Sequence, residues 1–472
     1  MGSHAEKDKK TKPTLLFLAH PLTGHITPTL RIASYFPVRG FPTYFVGPTT
    51  HAERITKSGC SFLPLLGKAN VDDLAYYTPN HPSSPVSAGY WSLPWRDRVL
   101  EDFKHLWINT LTDAWNSFLS ALEHIHGLER EREVVVITES MFFGFTPYYL
   151  RPPFPSHLPR PRKTISLSIM VPFIPCPEVG PGWHDTLPFD PDPEGQLQLA
   201  EKQRQEWQVK TRDLYLRLRE RLYKEVDCFE TGEDLNYFLD GVNYRHHFRV
   251  LQLGVPGFFY PRQKWPTGFK FIGVLPPVKE PEGGWPNLPG WWEEVKKATD
   301  KKVVVVAQGT VEVDPFDLII PTIEALASRE DVLTVAVLGR KGAKLPEVFK
   351  VPGNARVTDY LHYDAILPYG KAWVHNGGYG AVQHGIAHGV PMVVCGEGQD
   401  KGDNCKRVVW SGIGIYLGKP KPEIRKVKEA VEKVIDEGEG NAYRKRAREL
   451  REEGRGLDCF GLAERAVWEA VT

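Results

Sequence analysis

Two histidines, His20 and His25, stand in the turn "HPLTGHITPTLRIA" that follows the apolar run Leu15 to Ala19. A histidine at the top of a helix, at the carboxyl end of a strand, points into the crevice where open α/β sheets bind ligands. The helix N-terminus disfavours imidazolium, so such a ring stays neutral and can accept a proton. Once charged it needs a carboxylate to orient and stabilise it, and "VVVITESMFFGF" supplies Glu139 at the end of a second apolar run. A third stretch, "HNGGYGAVQHGIAHGVP" (His375 to Pro391), has Gly377, Gly378 and Gly380 between a strand-like and a helix-like segment. Backbone amides in such a turn face an anion, and the helix dipole favours negative charge. The chemistry indicated is proton removal at one place and phosphate or diphosphate binding at another.

Elements must hold these residues. In the first half, "TLLFLA", "TYFVG", "EVVVITES" and "KTISLSI" read as buried strands separated by helical or irregular stretches. A helix is expected from Thr27 to Phe36, where Leu30, Ala33 and Phe36 share a face. "KKVVVVAQGT", "LTVAVLG", "AWVHNGGYG" and "GVPMVVCG" open a second series. A chain of 472 residues is too long for one ordinary core. The expected class is therefore α/β, with two facing Rossmann-like, doubly wound domains and a cleft between them. The expected division is an N-terminal domain over 1–260, a linker rich in proline, glycine and tryptophan over 261–300, a C-terminal domain over 301–455, and a terminal helix over 456–472 whose packing partner is not legible. The charged run Ala200 to Val226 reads as a solvated amphipathic helix.

Bulk properties exclude several classes. Lysine plus arginine (59) and aspartate plus glutamate (58) nearly cancel to a net +1, so nothing steers the surface toward nucleic acid or an anionic membrane. The six cysteines carry no CxxC and no metal-like histidine spacing, and read as reduced thiols. The polar, lysine-rich start and the lack of a membrane-length apolar run predict a cytoplasmic protein without a stable membrane anchor. No GxSxG or P-loop string occurs, and "GIGIYLG" (Gly412 to Gly418) has the wrong spacing for a dinucleotide turn. "FDPDP" (Phe189 to Pro193) reads as a proline-flanked turn rather than a metal-binding DxD, and no metal ligand is assigned.

The stretch from His375 to Cys405 resembles the donor motif of the UDP-glycosyltransferase family, of GT-B fold: a glycine turn, then GVP, then an acid with an asparagine. Counting back from Gly389 and from Asp400 by the family's spacing gives 376 both times, where this chain has Asn376 rather than histidine. His375 stands one residue early. The family's hydroxyl after the turn is Ala381, its ribose-binding glutamate is His384, and Lys401 stands where many members carry glutamine. "GHITP" matches the family's "GHxxP" and so selects His25 over His20, which keeps a structural or acceptor-lining reading. Glu139 replaces the aspartate of the family's "ADAFFWF".

The resemblance implies an inverting, metal-independent transfer of a sugar, the family's commonest cargo glucose, from a UDP-sugar to a hydroxyl of a small acceptor. His25 would be the general base and Glu139 its partner. Donor contacts would come from Gly24, Thr310, Asn376, Gly378, Tyr379, Gly380 and Ala381, with Tyr360 stacking on uracil beside a backbone contact at Leu361, and Asp400 and Lys401 holding sugar hydroxyls. UDP-sugar is then a co-substrate, no cofactor is needed, and a monomer is expected. Trp91, Trp95 and Trp107, within the stretches 71–118 and 176–230 expected to line the acceptor site, suggest an apolar acceptor. The departures at 376, 381, 384 and 139 keep open a second reading, a nucleotide-sugar-binding protein that retains the shell without turnover.

Overall fold

The computed structural model describes residues 11–78, 81, 84, 89–130, 132–150, 154–174, 176–179, 192–228, 235–309, 314–435 and 441–472. Two parallel sheets carry the chain. The first holds β1 (Thr14–Leu18), β2 (Thr43–Gly47), β3 (Ser61–Pro64), β4 (Val134–Glu139), β5 (Thr164–Ser168), β6 (Arg249–Leu253) and β7 (Phe269–Gly273), in the order β3-β2-β1-β4-β5-β6-β7. The second holds β8 (Lys302–Ala307), β9 (Val332–Val337), β10 (Ala355–Thr358), β11 (Gly370–His375), β12 (Met392–Val394) and β13 (Gly414–Tyr416), in the order β10-β9-β8-β11-β12-β13. In each sheet the order reverses beside the first strand, so the loops after β1 and β4, and after β8 and β11, open at a topological switch point.

Strand alternation explains the unbroken apolar runs. Leu15 and Phe17 of β1 pack on one face with Leu30 and Ile137, while Leu16 and Leu18 pack on the other with Phe118 and Leu122 of the helix Leu111–Leu128. With both faces covered, both favour apolar side chains, and the polar ones that occur there, such as Ser166 and Gln252, are buried and hydrogen-bonded. The second sheet repeats this, Val304 and Val306 facing one core and Val303 and Val305 the other.

Two organisational expectations change, and one open point is filled. The first sheet runs past residue 260, because β7 (Phe269–Gly273) pairs with β6 inside the stretch read as linker; its flanking prolines and glycines hid it. The helix Cys459–Ala470 returns to the first sheet, burying Ala463, Ala466 and Val467 against Phe17, Ile165 and Leu251, while Arg249 Nε meets Glu469 at 2.8 Å. The charged run breaks at Thr211 into Pro193–Lys210 and Arg212–Glu225, and it buries Trp207, Leu214, Leu218 and Leu222 rather than lying solvated. No disulfide joins the six cysteines, and no helix among the described residues is long and apolar enough to cross a membrane.

Candidate active site

A cavity of about 940 Å³ opens between the two sheets, lined from one side by the start of the helix Thr23–Ala33 and from the other by the start of the helix Tyr379–His388. The first of these helices begins four residues before the expected Thr27, which puts His25 inside its first turn. No side chain of the N-cap residue Leu22 satisfies that end; instead Asp73 Oδ2 accepts the Thr23 N–H at 2.7 Å, and His51 Nε2 lies 3.2 Å from Thr23 Oγ1. Gly24, in the same turn, has open space where a Cβ would stand, so the backbone itself forms the cavity wall.

His25 Nδ1 lies 3.1 Å from Glu139 Oε2, with the histidine side chain 15% exposed and the glutamate fully buried. Glu139 ends β4, and its other oxygen accepts the Met141 N–H at 2.8 Å and the Ser140 hydroxyl at 3.3 Å. His20 does not line the cavity. It stacks on Trp107, 4.1 Å between centroids, and its Nε2 is 3.2 Å from the Leu106 carbonyl. Burial, and then the neighbouring His25, hold its pKa well below the usual histidine range.

On the facing wall, Gly377 must be glycine: its φ is +83°, and an added Cβ would collide with Cys405 Sγ. The turn leads to Gly378 at the N-cap, where no side chain caps the helix. The N–H groups of Tyr379, Gly380 and Ala381 therefore begin the helix without an intrahelical partner, as helix starts do. Tyr379 also reaches the first sheet, its hydroxyl donating to the Leu253 carbonyl at the end of β6. His375 is buried, its Nδ1 accepts the Gly377 N–H at 3.1 Å, and burial drives its pKa down to about 3. Asp400 sits at the N-cap of the helix Lys401–Trp410, its carboxyl raised by burial and joined at 3.0 Å by the Asn404 amide, which also donates to the Gly377 carbonyl at 2.9 Å.

Several expected contacts are arranged differently. Asn376 lines the cavity, but its amide donates to the Gln308 carbonyl. Lys401 Nζ is 3.2 Å from Gln399 Oε1. Tyr360 and Leu361 do not line the cavity: Asp359 accepts the N–H groups of Tyr360 and Gly342 at 2.7 and 2.6 Å, and that pinned turn leaves the Tyr360 ring 47% exposed. Thr310 lies outside the described residues, as does Asp190 of the DxD string.

Of the three tryptophans, Trp107 lines the cavity; Trp91 and Trp95 pack half-buried against the core. No described residue of 176–230 reaches the wall, whereas Asp102 and Tyr77 do. Asp102 accepts from Tyr90, Tyr76 and Tyr77 at 2.9, 3.2 and 3.3 Å, and burial still pushes its carboxyl up to about 7. Gln399 Nε2 donates to the Tyr77 hydroxyl across the cleft at 3.4 Å. Nothing in the sequence around Asp102 signals this cluster.

A second group missed by the sequence reading does leave a trace, the i,i+4 pair in "QHGIAH". Asp364 Oδ1 lies 3.0 Å from His384 Nδ1 and 2.9 Å from His388 Nε2, while Oδ2 accepts the Val278 N–H at 2.8 Å. Burial works against the charged carboxylate, but the hydrogen bonds from His384 and His388 outweigh it and hold its pKa below the usual range.

Residues 324–457 match the family described as "Erythromycin biosynthesis protein CIII-like, C-terminal domain". The chain is 34% identical over 431 residues to UDP-glucosyltransferase A1 of Starmerella bombicola, covering 90% of this chain and 86% of that protein. It is 30% identical over 472 residues to UDP-glucosyltransferase 1 of Beauveria bassiana (strain ARSEF 2860), covering 97% and 95%. The fold is similar to the crystal structure of the glycosyltransferase of kitacinnamycin, with a TM-score of 0.64 at 20% identity over 96% of this chain and 99% of that one.

Proposed function

We propose that this chain, which belongs to the UDP-glycosyltransferase family, is a UDP-dependent glycosyltransferase that moves glucose from UDP-glucose to a hydroxyl of a small, largely apolar acceptor with inversion. The observation that carries the reading is the His25–Glu139 pair, 3.1 Å apart at one wall of the cavity. A carboxylate beside Nδ1 favours the tautomer in which Nε2 carries the lone pair. Nε2 takes the proton from the acceptor hydroxyl as its oxygen attacks the anomeric carbon, and the bond to UDP breaks on the opposite face.

Negative charge developing on the diphosphate falls at the start of the helix Tyr379–His388, where backbone N–H groups of Tyr379, Gly380 and Ala381 are oriented before the reaction. The arrangement supports backbone donors in place of the side chain at 376, since the Asn376 amide is committed to Gln308. Asp400, at the edge of the same turn, is placed to accept sugar hydroxyl protons. Trp107, Ile169, Met170 and Leu22 give the acceptor side its apolar character, with Asp102 as its buried acid.

The test is calorimetric titration of UDP, UDP-glucose and ADP into wild type and His25→Ala, followed by UDP release over a panel of hydroxylated apolar acceptors. Selective uridine binding in both proteins is expected, with turnover in the variant lower by about 10²- to 10⁴-fold. Undiminished turnover in His25→Ala removes the base; absence of uridine binding removes the donor assignment.

A further inference from the structure

We infer that Asp364, His384 and His388 form a binding site for a divalent transition ion of the zinc class, set in the cavity wall and separate from the His25–Glu139 pair. Among the described residues they are the group of three whose ligand atoms converge, all within 4.8 Å of one another. The donor set, two imidazoles and one carboxylate, is the kind that Zn²⁺, Co²⁺ and Ni²⁺ prefer over Mg²⁺ or Ca²⁺, which take oxygen ligands.

The fold supplies the convergence from two elements. His384 and His388 lie four apart on the helix Tyr379–His388, so both project from one side of it. Asp364 comes from the short helix Tyr363–Ile366 after β10, and its second oxygen is held by the Val278 N–H at 2.8 Å. A ligating carboxylate anchored this way is pre-oriented, as metal ligands are by their outer partners. His388 and Asp364 are almost fully buried, 8% and 4% exposed at the side chain, while His384 is 36% exposed.

The distances allow the exchange. His384 Nδ1 and His388 Nε2 stand 3.0 and 2.9 Å from the same oxygen, each contact bridged by a proton. Tetrahedral ligands at zinc bond lengths of about 2.0–2.2 Å stand roughly 3.3–3.5 Å apart. The two contacts to Asp364 must therefore open by only a few tenths of an ångström, and the two ring nitrogens, within 4.8 Å of one another, close on the ion as it replaces the bridging protons, which move to the far nitrogen of each neutral ring. Asp364 and His384 both line the cavity, so the fourth position faces it and is left to water or a ligand oxygen. The transfer step proposed above passes no bond through this site, and the inference stands independently of it.

The test uses the full chain freed of metal by chelation. Zn²⁺ titration by calorimetry and the visible ligand-field spectrum of added Co²⁺ are recorded for wild type, His388→Ala, Asp364→Asn and His384→Gln, with Mg²⁺ as control and circular dichroism to verify folding. The expected result is one ion per chain, a Co²⁺ band typical of four-coordination, no Mg²⁺ binding, and at least tenfold weaker Zn²⁺ binding in each folded variant. His384→Gln, at the exposed ligand, keeps the test decisive if a buried variant does not fold. Zn²⁺ binding unchanged in His384→Gln, or no Co²⁺ band in wild type, overturns the site.

Discussion

Glu139 uses its two oxygens differently. One is fixed by the backbone of Met141, and the other stands beside His25. The extra methylene relative to aspartate does not carry the carboxylate past the ring, because the backbone contact anchors it. In Glu139→Gln, one of the two contacts must meet an amide –NH₂ where an oxygen stood, and the charge that would stabilise an imidazolium is gone. Turnover is expected to fall by about 10²- to 10⁴-fold while UDP binding measured by calorimetry stays unchanged; an unaltered rate would show that Glu139 only shapes the wall. The glutamate and both histidines were legible as candidates in the sequence. That His20 is stacked on Trp107 was not, because the stacking pairs positions distant in sequence.

The helix Tyr379–His388 is tied at its start to the other half of the molecule through the Tyr379 hydroxyl and the Leu253 carbonyl. Tyr379→Phe removes this donor while the Gln252 amide still donates to the same carbonyl at 2.6 Å, so stability should fall by about 0.5–1.5 kcal/mol, the net worth of one hydrogen bond; denaturant unfolding checks it, and no change in midpoint would mean that the contact contributes nothing net. The glycine turn before this helix was readable because Gly377 has no substitute at that φ. The other helix start was misplaced for an equally physical reason. The apolar face that marks it in the sequence begins at Leu30, yet the helix starts at Thr23 and accommodates Pro28 inside it, forgoing the N–H that the Gly24 carbonyl would have taken. Asp73, brought by a separate segment, satisfies the earlier start.

The chain crosses between its halves more than once, and the last crossing carries structural weight. Deleting residues 459–472 uncovers the apolar face of the first sheet at Phe17, Ile165 and Leu251; the truncated protein is expected to be recovered unfolded or aggregated, and a soluble form with wild-type unfolding midpoint would contradict this. Acid response is set by buried imidazoles. His20 is held well below 6.5, and burial takes both His247 and His375 to about 3. Below pH 6.5 the unfolded chain takes up these protons and the folded chain does not, so stability present above 6.5 is lost as pH falls toward 3. Asp102, raised to about 7, works in the opposite direction between 7 and 4, since its protonated form is favoured in the fold. Asp400, also raised by burial, adds to Asp102, while the lowered imidazoles of His51, His105 and His362 and the lowered carboxylate of Asp364 add to the loss on acidification. His247→Gln should flatten the slope of unfolding free energy against pH by up to about 1.4 kcal/mol per unit; an unchanged slope would remove His247 from the account.

The sequence by itself determined the class of fold and the residues around the two turns, because buried parallel strands require unbroken apolar runs and a glycine turn leaves a local, fixed spacing. Edge strands such as β3 and β10 lack that signal, being only partly buried, and β7 is flanked by turn residues. Tertiary structure alone decided that His20 stacks on Trp107, that Tyr360 stays outside the cavity, that Asp102 gathers three tyrosines, and that Asp364 meets His384 and His388. Those outcomes depend on side chains from distant segments reaching one point, and only packing of the two sheets and their helices fixes such distances.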